Sequence, residues 1–173
     1  MVNRLPYDPQ KHHRRSIRLK GYEYTQPGAY FITICVRERA CDLGFIESGE
    51  MILSDCGRVA NDFWSQIPVH FPNVTVDIFI VMPNHIHAII IIEEGRGGIT
   101  PPLPSTLGQI VAYYKYQTTV QINHLNDNAG TPFWQRGYYE HIIRNDREME
   151  TIRRYIQENP LKWELDQENP HKY

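Results

Sequence analysis

The chain has only three cysteines among its 173 residues, Cys35, Cys41 and Cys56, and no two of them stand as a Cys-x-x-Cys pair. An odd, scattered set builds neither a disulfide framework nor a cysteine zinc site, so a reduced, cytoplasmic setting is expected. Long hydrophobic runs are equally scarce. The most apolar stretch, Val76 to Ile92, is interrupted by Asp77, Pro83, Asn84 and two histidines, which leaves it short of the roughly 20 residues of a membrane span. No secretory signal is read at the start, and no membrane role is expected. Internal repeats and low-complexity tracts are absent as well. What remains, 41% hydrophobic and 22% charged residues, suits one domain able to bury a sizeable core.

Net charge is also small, −2, but it is unevenly spread. Residues 1–20 hold six of the 18 basic residues (Arg4, Lys11, Arg14, Arg15, Arg18, Lys20) against one acid, Asp8. Such an arm can bind phosphates. Composition alone allows a solvated tail equally well.

Inside the apolar stretch lies His85-Ile86-His87. Side chains at i and i+2 of a strand share a face, so both imidazoles point one way and can converge on one cation. The alternative is a pair of partly buried histidines satisfied by backbone carbonyls. Two on one face of so hydrophobic a strand favour the cation.

Around this strand the pattern predicts an α+β domain. Gly28 to Arg37 is rich in aromatic and β-branched residues after a Pro27-Gly28 turn signal, and forms a first strand. Residues 38–53 make a hairpin-like excursion. Ser54-Asp55 caps a helix to about Gln66, with Val59, Phe63 and Ile67 on its buried face. Val74 to Met82 and His85 to Ile92 are strands joined by a Pro83-Asn84 turn, the second lying centrally because both its faces are aliphatic. Residues 93–104 form a loop. Thr106 with Gln109 opens a long helix to about Asn126, whose inner side is Leu107, Val111, Tyr114, Thr118, Ile122 and Leu125. A strand follows within 138–143, and Asn145 caps a last helix that should leave helical geometry before Pro160. The order is the ferredoxin-like split βαββαβ sheet, with helices on one face and an appended C-terminal helix.

On that last helix Met149, Ile152 and Ile156 form the buried stripe, and Tyr155 and Asn159 align one turn apart along its edge. A tyrosine hydroxyl can attack phosphorus when a metal or base assists. Asn159 can offer an amide oxygen to that metal. The plainer alternative is an amphipathic tyrosine at a core rim and an asparagine closing a helix.

Three stretches, in this order, carry a family resemblance: Lys20-Gly21-Tyr22-Glu23-Tyr24 running into Gly28 to Thr33; Met82-Pro83-Asn84-His85-Ile86-His87; and Trp134 to Asn145 leading to Tyr155-Ile156-Gln157-Glu158-Asn159-Pro160. The chain resembles the HUH (His-hydrophobic-His) single-tyrosine transposases, nearest to the REP-associated tyrosine transposases, over residues 16 to about 163. With the charge pattern at the start, this divides the chain into a basic arm (1–20), an expected nuclease domain (21–163) and a tail (164–173). The resemblance also implies a divalent ion, Mg²⁺ or Mn²⁺, on His85 and His87, with Asn159 as third ligand where insertion-sequence relatives place glutamine. Tyr155 then cleaves single-stranded DNA bearing imperfect hairpins and is left as a 5′-phosphotyrosine, with a free 3′-hydroxyl able to rejoin strands.

DNA contacts are expected from Arg14, Arg15, Arg18 and Lys20 of the arm, with Tyr22 and Tyr24 beside them, and from Lys115, since basic groups meet phosphate and aromatic rings stack on unpaired bases. Tyr113 and Gln117 form a rival Tyr-x-x-x-Gln pair, but precede the Trp134 block that the family's tyrosine follows. Two other functions stay open: a catalytically silent hairpin-binding module, and a metal phosphodiesterase that uses activated water. The chain is expected to act as a monomer or homodimer, with a lean towards an active site built within one chain, because the link from Ile143 to Asn145 is short.

Overall fold

The computed structural model describes residues 27–94, 105–165 and 169. Its centre is an antiparallel pair, β1 (Gly28–Cys35) and β5 (His85–Ile92), in register from Gly28 opposite Ile92 to Cys35 opposite His85. β4 (Val74–Val81) adds to the outer side of β5 and β6 (Tyr139–Ile143) to the outer side of β1, giving the order β4-β5-β1-β6. Antiparallel neighbours throughout leave β1 and β4 parallel and split by β5. This is the expected ferredoxin-like arrangement. A separate hairpin, β2 (Gly44–Glu47) with β3 (Glu50–Leu53), fills the 38–53 excursion. Its turn places Ser48 at φ 52° and Gly49 at φ 80°, the two positive values that a tight hairpin turn requires.

Strand alternation splits the sheet into two buried faces. Tyr30, Ile32 and Ile34 with Ile86, Ala88 and Ile90 face one way and form the main core beneath α1 (Asp55–Ser65) and α3 (Leu107–Leu125). Phe31 and Ile89 face the other way and pack with Ile143 against Ile156 of α4 (Asp146–Glu158). Because His85 and His87 share the parity of Ile89, the histidine pair lies on the face that α4 covers. One residue of slip in β5 would have sent both rings into the main core.

Helix ends follow their capping residues. Ser54 accepts from Gly57 N, Thr106 and Gln109 form a complete capping box, and Asn145 accepts from Glu148 N. The buried stripe of α1, however, is Gly57, Ala60 and Trp64, continued by Ile67 of the short α2 (Ile67–His70), while Val59 and Phe63 are half-buried. The larger Trp64 takes the inward position, stacked on Phe79 and edge-on to Tyr114, and this rotates the helix by one residue. Gly57 makes the rotation feasible, since a Cβ there would lie 2.0 Å from the Leu43 carbonyl oxygen. The last turn of α3 passes beyond the core, so Leu125 is exposed rather than buried.

Two boundaries differ at the site itself. β1 stops at Cys35, and a 3-10 turn follows over Arg37–Arg39. Asn159 keeps helical angles (φ −59°, ψ −42°) although it precedes Pro160, and the chain continues as a 3-10 turn over Pro160–Leu165. Proline removes the next N–H, but Asn159 and Pro160 are both buried, and this packing outweighs the steric preference for extended geometry before proline.

Candidate active site

Both histidines of β5 are sealed from solvent, His85 at 0% and His87 at 3% exposure. Each Nδ1 meets a side chain rather than a backbone carbonyl: His85 Nδ1 lies 2.8 Å from Asn84 Oδ1, and His87 Nδ1 lies 2.8 Å from Thr33 Oγ1. Thr33 stands directly opposite His87 on β1. With the Nδ1 atoms so occupied, the Nε2 atoms turn toward each other and stand 3.0 Å apart. Burial, assisted by the positive charge of Arg39, pulls the His85 pKa down to about 3. The ring is therefore neutral at physiological pH, the form that binds a metal.

The helix α4 brings the tyrosine to this pair. Tyr155 Oη is 3.2 Å from His87 Nε2, and both belong to the same chain. The phenol ring stands edge-on to Phe31 at 6.0 Å, while 45% of Tyr155 stays exposed, which leaves one side open to a substrate. Position follows from several anchors on α4. Ile156 is fully buried beside Phe31 and Ile89, and Arg153 Nε donates to Asp77 Oδ1 (3.1 Å) with a second bond from its terminal nitrogen to Oδ2. Asp77 sits where the β4–β5 register shifts. At the start of the helix Glu148 accepts from Arg144 N (2.8 Å) and pairs with His141 Nε2 (2.6 Å). These bonds hold its carboxyl below the usual range.

Asn159, one turn beyond Tyr155, is 2% exposed, and its Oδ1 is buried without a hydrogen-bond partner among the described residues. A buried amide oxygen left bare costs free energy. Among the described residues no group of three His, Cys, Asp or Glu side chains is placed to hold a metal. Beyond Asn159, Trp163 of the 3-10 turn lies with its ring 6.1 Å from that of His85, and Leu161 abuts Gly49 at the β2–β3 turn.

Other sequence-derived candidates lie elsewhere. Tyr113 is stacked on His70 at 3.9 Å, with Phe71 edge-on beside it, on the α3 side of the sheet, so the rival tyrosine is not brought to the histidines. Lys115 donates to the backbone oxygens of Gln135 (2.8 Å) and Gly137. Burial pulls its pKa down to about 8. Arg14, Arg15, Arg18, Lys20, Tyr22 and Tyr24 fall outside the described residues. Asn84, Thr33, Phe31 and Trp163 were not anticipated at the site. Asn84 was legible only as a turn residue and Trp163 lies past the helical period, whereas the pairing of Thr33 with His87 becomes visible only once the β1–β5 register is known.

A tyrosine hydroxyl poised over two buried imidazoles on a split βαββαβ sheet is the arrangement of a single-tyrosine transposase. The family model described as "Transposase IS200 like" matches residues 65–159, more than half of the chain, and the chain belongs to that family. An uncharacterised protein of Haemophilus influenzae is 42% identical over 93% of this chain and 96% of its own length. A putative REP-associated tyrosine transposase of the same organism is 28% identical over 81% of this chain and 74% of its own length. The fold is shared with a solved REP-associated tyrosine transposase bound to a REP hairpin (TM-score 0.57, 21% identity, 86% of this chain and 74% of that one). No helix among the described residues is long and apolar enough to cross a membrane.

Proposed function

We propose that this protein is a metal-dependent endonuclease and strand transferase acting on single-stranded DNA with imperfect hairpins, through a covalent 5′-phosphotyrosine at Tyr155. The observation that carries this reading is the 3.2 Å approach of Tyr155 Oη to His87 Nε2, itself 3.0 Å from His85 Nε2. The hairpin substrate is taken from the structural relative, which is bound to one.

The residues fit a divalent ion, Mg²⁺ or Mn²⁺. Two imidazoles face each other through their Nε2 atoms, and the Oδ1 of Asn159, without a hydrogen-bond partner among the described residues, supplies the oxygen that such ions favour. His85, His87 and Asn159 would hold it. When bound, the ion supplies Lewis-acid polarisation of the scissile phosphate and offsets the charge that builds on it. The remaining work falls to the chain. Phe31 stands edge-on to the Tyr155 ring and Ile156 anchors the helix that carries it, while the exposed side of the ring admits DNA. Tyr155 Oη bonds to phosphorus as the bond from phosphorus to the 3′ oxygen breaks; the tyrosine proton is lost and the 3′ oxygen leaves as a hydroxyl. The phosphodiester energy is kept in the tyrosyl ester, so a 3′-hydroxyl can later attack it and rejoin strands. The basic arm is the proposed phosphate contact. Lys115, engaged by two carbonyls, anchors the segment that leads into β6.

Incubation with end-labelled hairpin DNA, Mn²⁺ and Mg²⁺, followed by a denaturing gel, tests this. A covalent protein–DNA band that is lost in Tyr155→Phe is expected. Cleavage without a band would indicate activated water, and neither would indicate a silent binding module; each would overturn the proposal.

A further inference from the structure

We propose that Asn84 is a positioning residue that locks His85 in the tautomer carrying its proton on Nδ1, so that Nε2 always turns an unshared pair toward His87, whereas Thr33 lets His87 adopt either tautomer. The consequence for ion binding rests on the metal reading above; the tautomer assignment does not.

The argument begins at Arg39. A carbonyl oxygen only accepts, so the Asn84 nitrogen must be the atom that faces Arg39 O, at 3.1 Å. That settles the orientation of the amide and leaves Oδ1 facing His85 Nδ1 at 2.8 Å. An amide oxygen also only accepts. His85 Nδ1 must therefore carry the proton. The amide cannot turn over without setting its NH₂ against the ring and its oxygen against the Arg39 carbonyl. Both ends of the relay are held: the Asn84 carbonyl accepts from Val36 N at 2.8 Å, and Asn84 is 0% exposed, so no bulk water stands in for a lost partner.

His87 is held differently. Without an ion, two unshared pairs 3.0 Å apart would repel, so His87 supplies the proton on its Nε2, and its Nδ1 accepts from the Thr33 hydroxyl. When an ion takes the place of that proton, His87 must carry its proton on Nδ1 and Thr33 must accept instead. A hydroxyl does both by rotating. The pair thus has one fixed imidazole and one adaptable imidazole, each matched to its neighbour. Partners of this kind orient metal-binding histidines, and their loss typically costs about 10- to 100-fold in affinity.

The test uses the full-length protein, ¹⁵N-labelled and free of metal, with long-range ¹H–¹⁵N spectra reading the tautomer of each histidine, and a separate Mn²⁺ titration. In wild type His85 is expected as the Nδ1–H form and His87 as the Nε2–H form. Asn84→Asp, as the neutral acid that burial favours, keeps an acceptor for Nδ1–H and an O–H donor for Arg39 O, and should keep both the His85 tautomer and Mn²⁺ affinity within about threefold. Asn84→Leu removes the acceptor, should bring in the Nε2–H form of His85, and should weaken Mn²⁺ binding about 10- to 100-fold. Wild-type His85 in the Nε2–H form, or an unchanged tautomer in Asn84→Leu, would overturn the proposal even if that variant loses affinity by misfolding. A wild type that binds no Mn²⁺ while the tautomers behave as described would defeat the metal reading alone.

Discussion

Ile156→Ala is expected to loosen the tyrosine helix without unfolding the sheet. Ile156 is 0% exposed and neighbours the nucleophile; among the described residues it belongs to a cluster whose other buried members are Phe31, Ile89 and Ile143. Truncation to alanine removes about three carbons, worth roughly 0.8 kcal/mol each in transfer. The cavity left behind brings the cost to about 3 kcal/mol, within the usual range for such changes. The larger core lies on the opposite face beneath α1 and α3, so most of this loss should fall on the docking of α4. At about 1.4 kcal/mol per tenfold, the undocked helix becomes about 100-fold more populated. Native-state hydrogen exchange reads this directly, because amides in the middle of α4 should lose about two orders of magnitude in protection while those of β1 and β5 change far less. Hairpin cleavage should fall with the docked fraction. An equal loss of protection in α4 and in the central strands would refute the reasoning, since it would make the helix part of one global cooperative unit.

His85→Ala and His87→Ala should each abolish most cleavage, as should EDTA on wild type, and Mn²⁺ should rescue a partial defect better than Mg²⁺, which prefers oxygen ligands; full activity in EDTA would exclude the metal. Deleting residues 1–20 removes a net charge of +5, six basic residues less Asp8, and should flatten the salt dependence of DNA binding by about 0.7 log units per lost phosphate contact on single strands. An unchanged slope would make the arm an idle tail. The depressed Glu148 carboxyl, bound to Arg144 N and His141, should stabilise the fold fully above its ordinary value of 4.5 and lose that contribution as pH falls through the depressed value. Glu148→Gln should therefore flatten the acid limb of a stability–pH curve, and an unaltered limb would refute this.

What the sequence disclosed about the site is the part governed by short periods. A spacing of two put His85 and His87 on one face, a spacing of four aligned Tyr155 with Asn159, and the caps at Ser54, Thr106 and Asn145 fixed where helices start. The element order then implied the sheet. What stayed hidden depends on pairing between distant segments. Thr33 reaches His87 only through strand register, and Arg39 reaches Asn84 only through the 3-10 turn after β1. The rotation of α1 turned on one close approach at Gly57 that no periodicity encodes. Local preference also misled at Asn159, where burial holds helical geometry against the following proline.

The most direct measurement of the covalent mechanism is mass spectrometry of the protein–DNA adduct. After cleavage of a labelled hairpin in Mn²⁺, nuclease trimming and proteolysis, the residual nucleotide should be found on the peptide containing Tyr155, joined through its 5′ phosphate, and no adduct should form with Tyr155→Phe. A nucleotide on the Tyr113 peptide, or cleaved DNA with no modified tyrosine at all, would contradict the account.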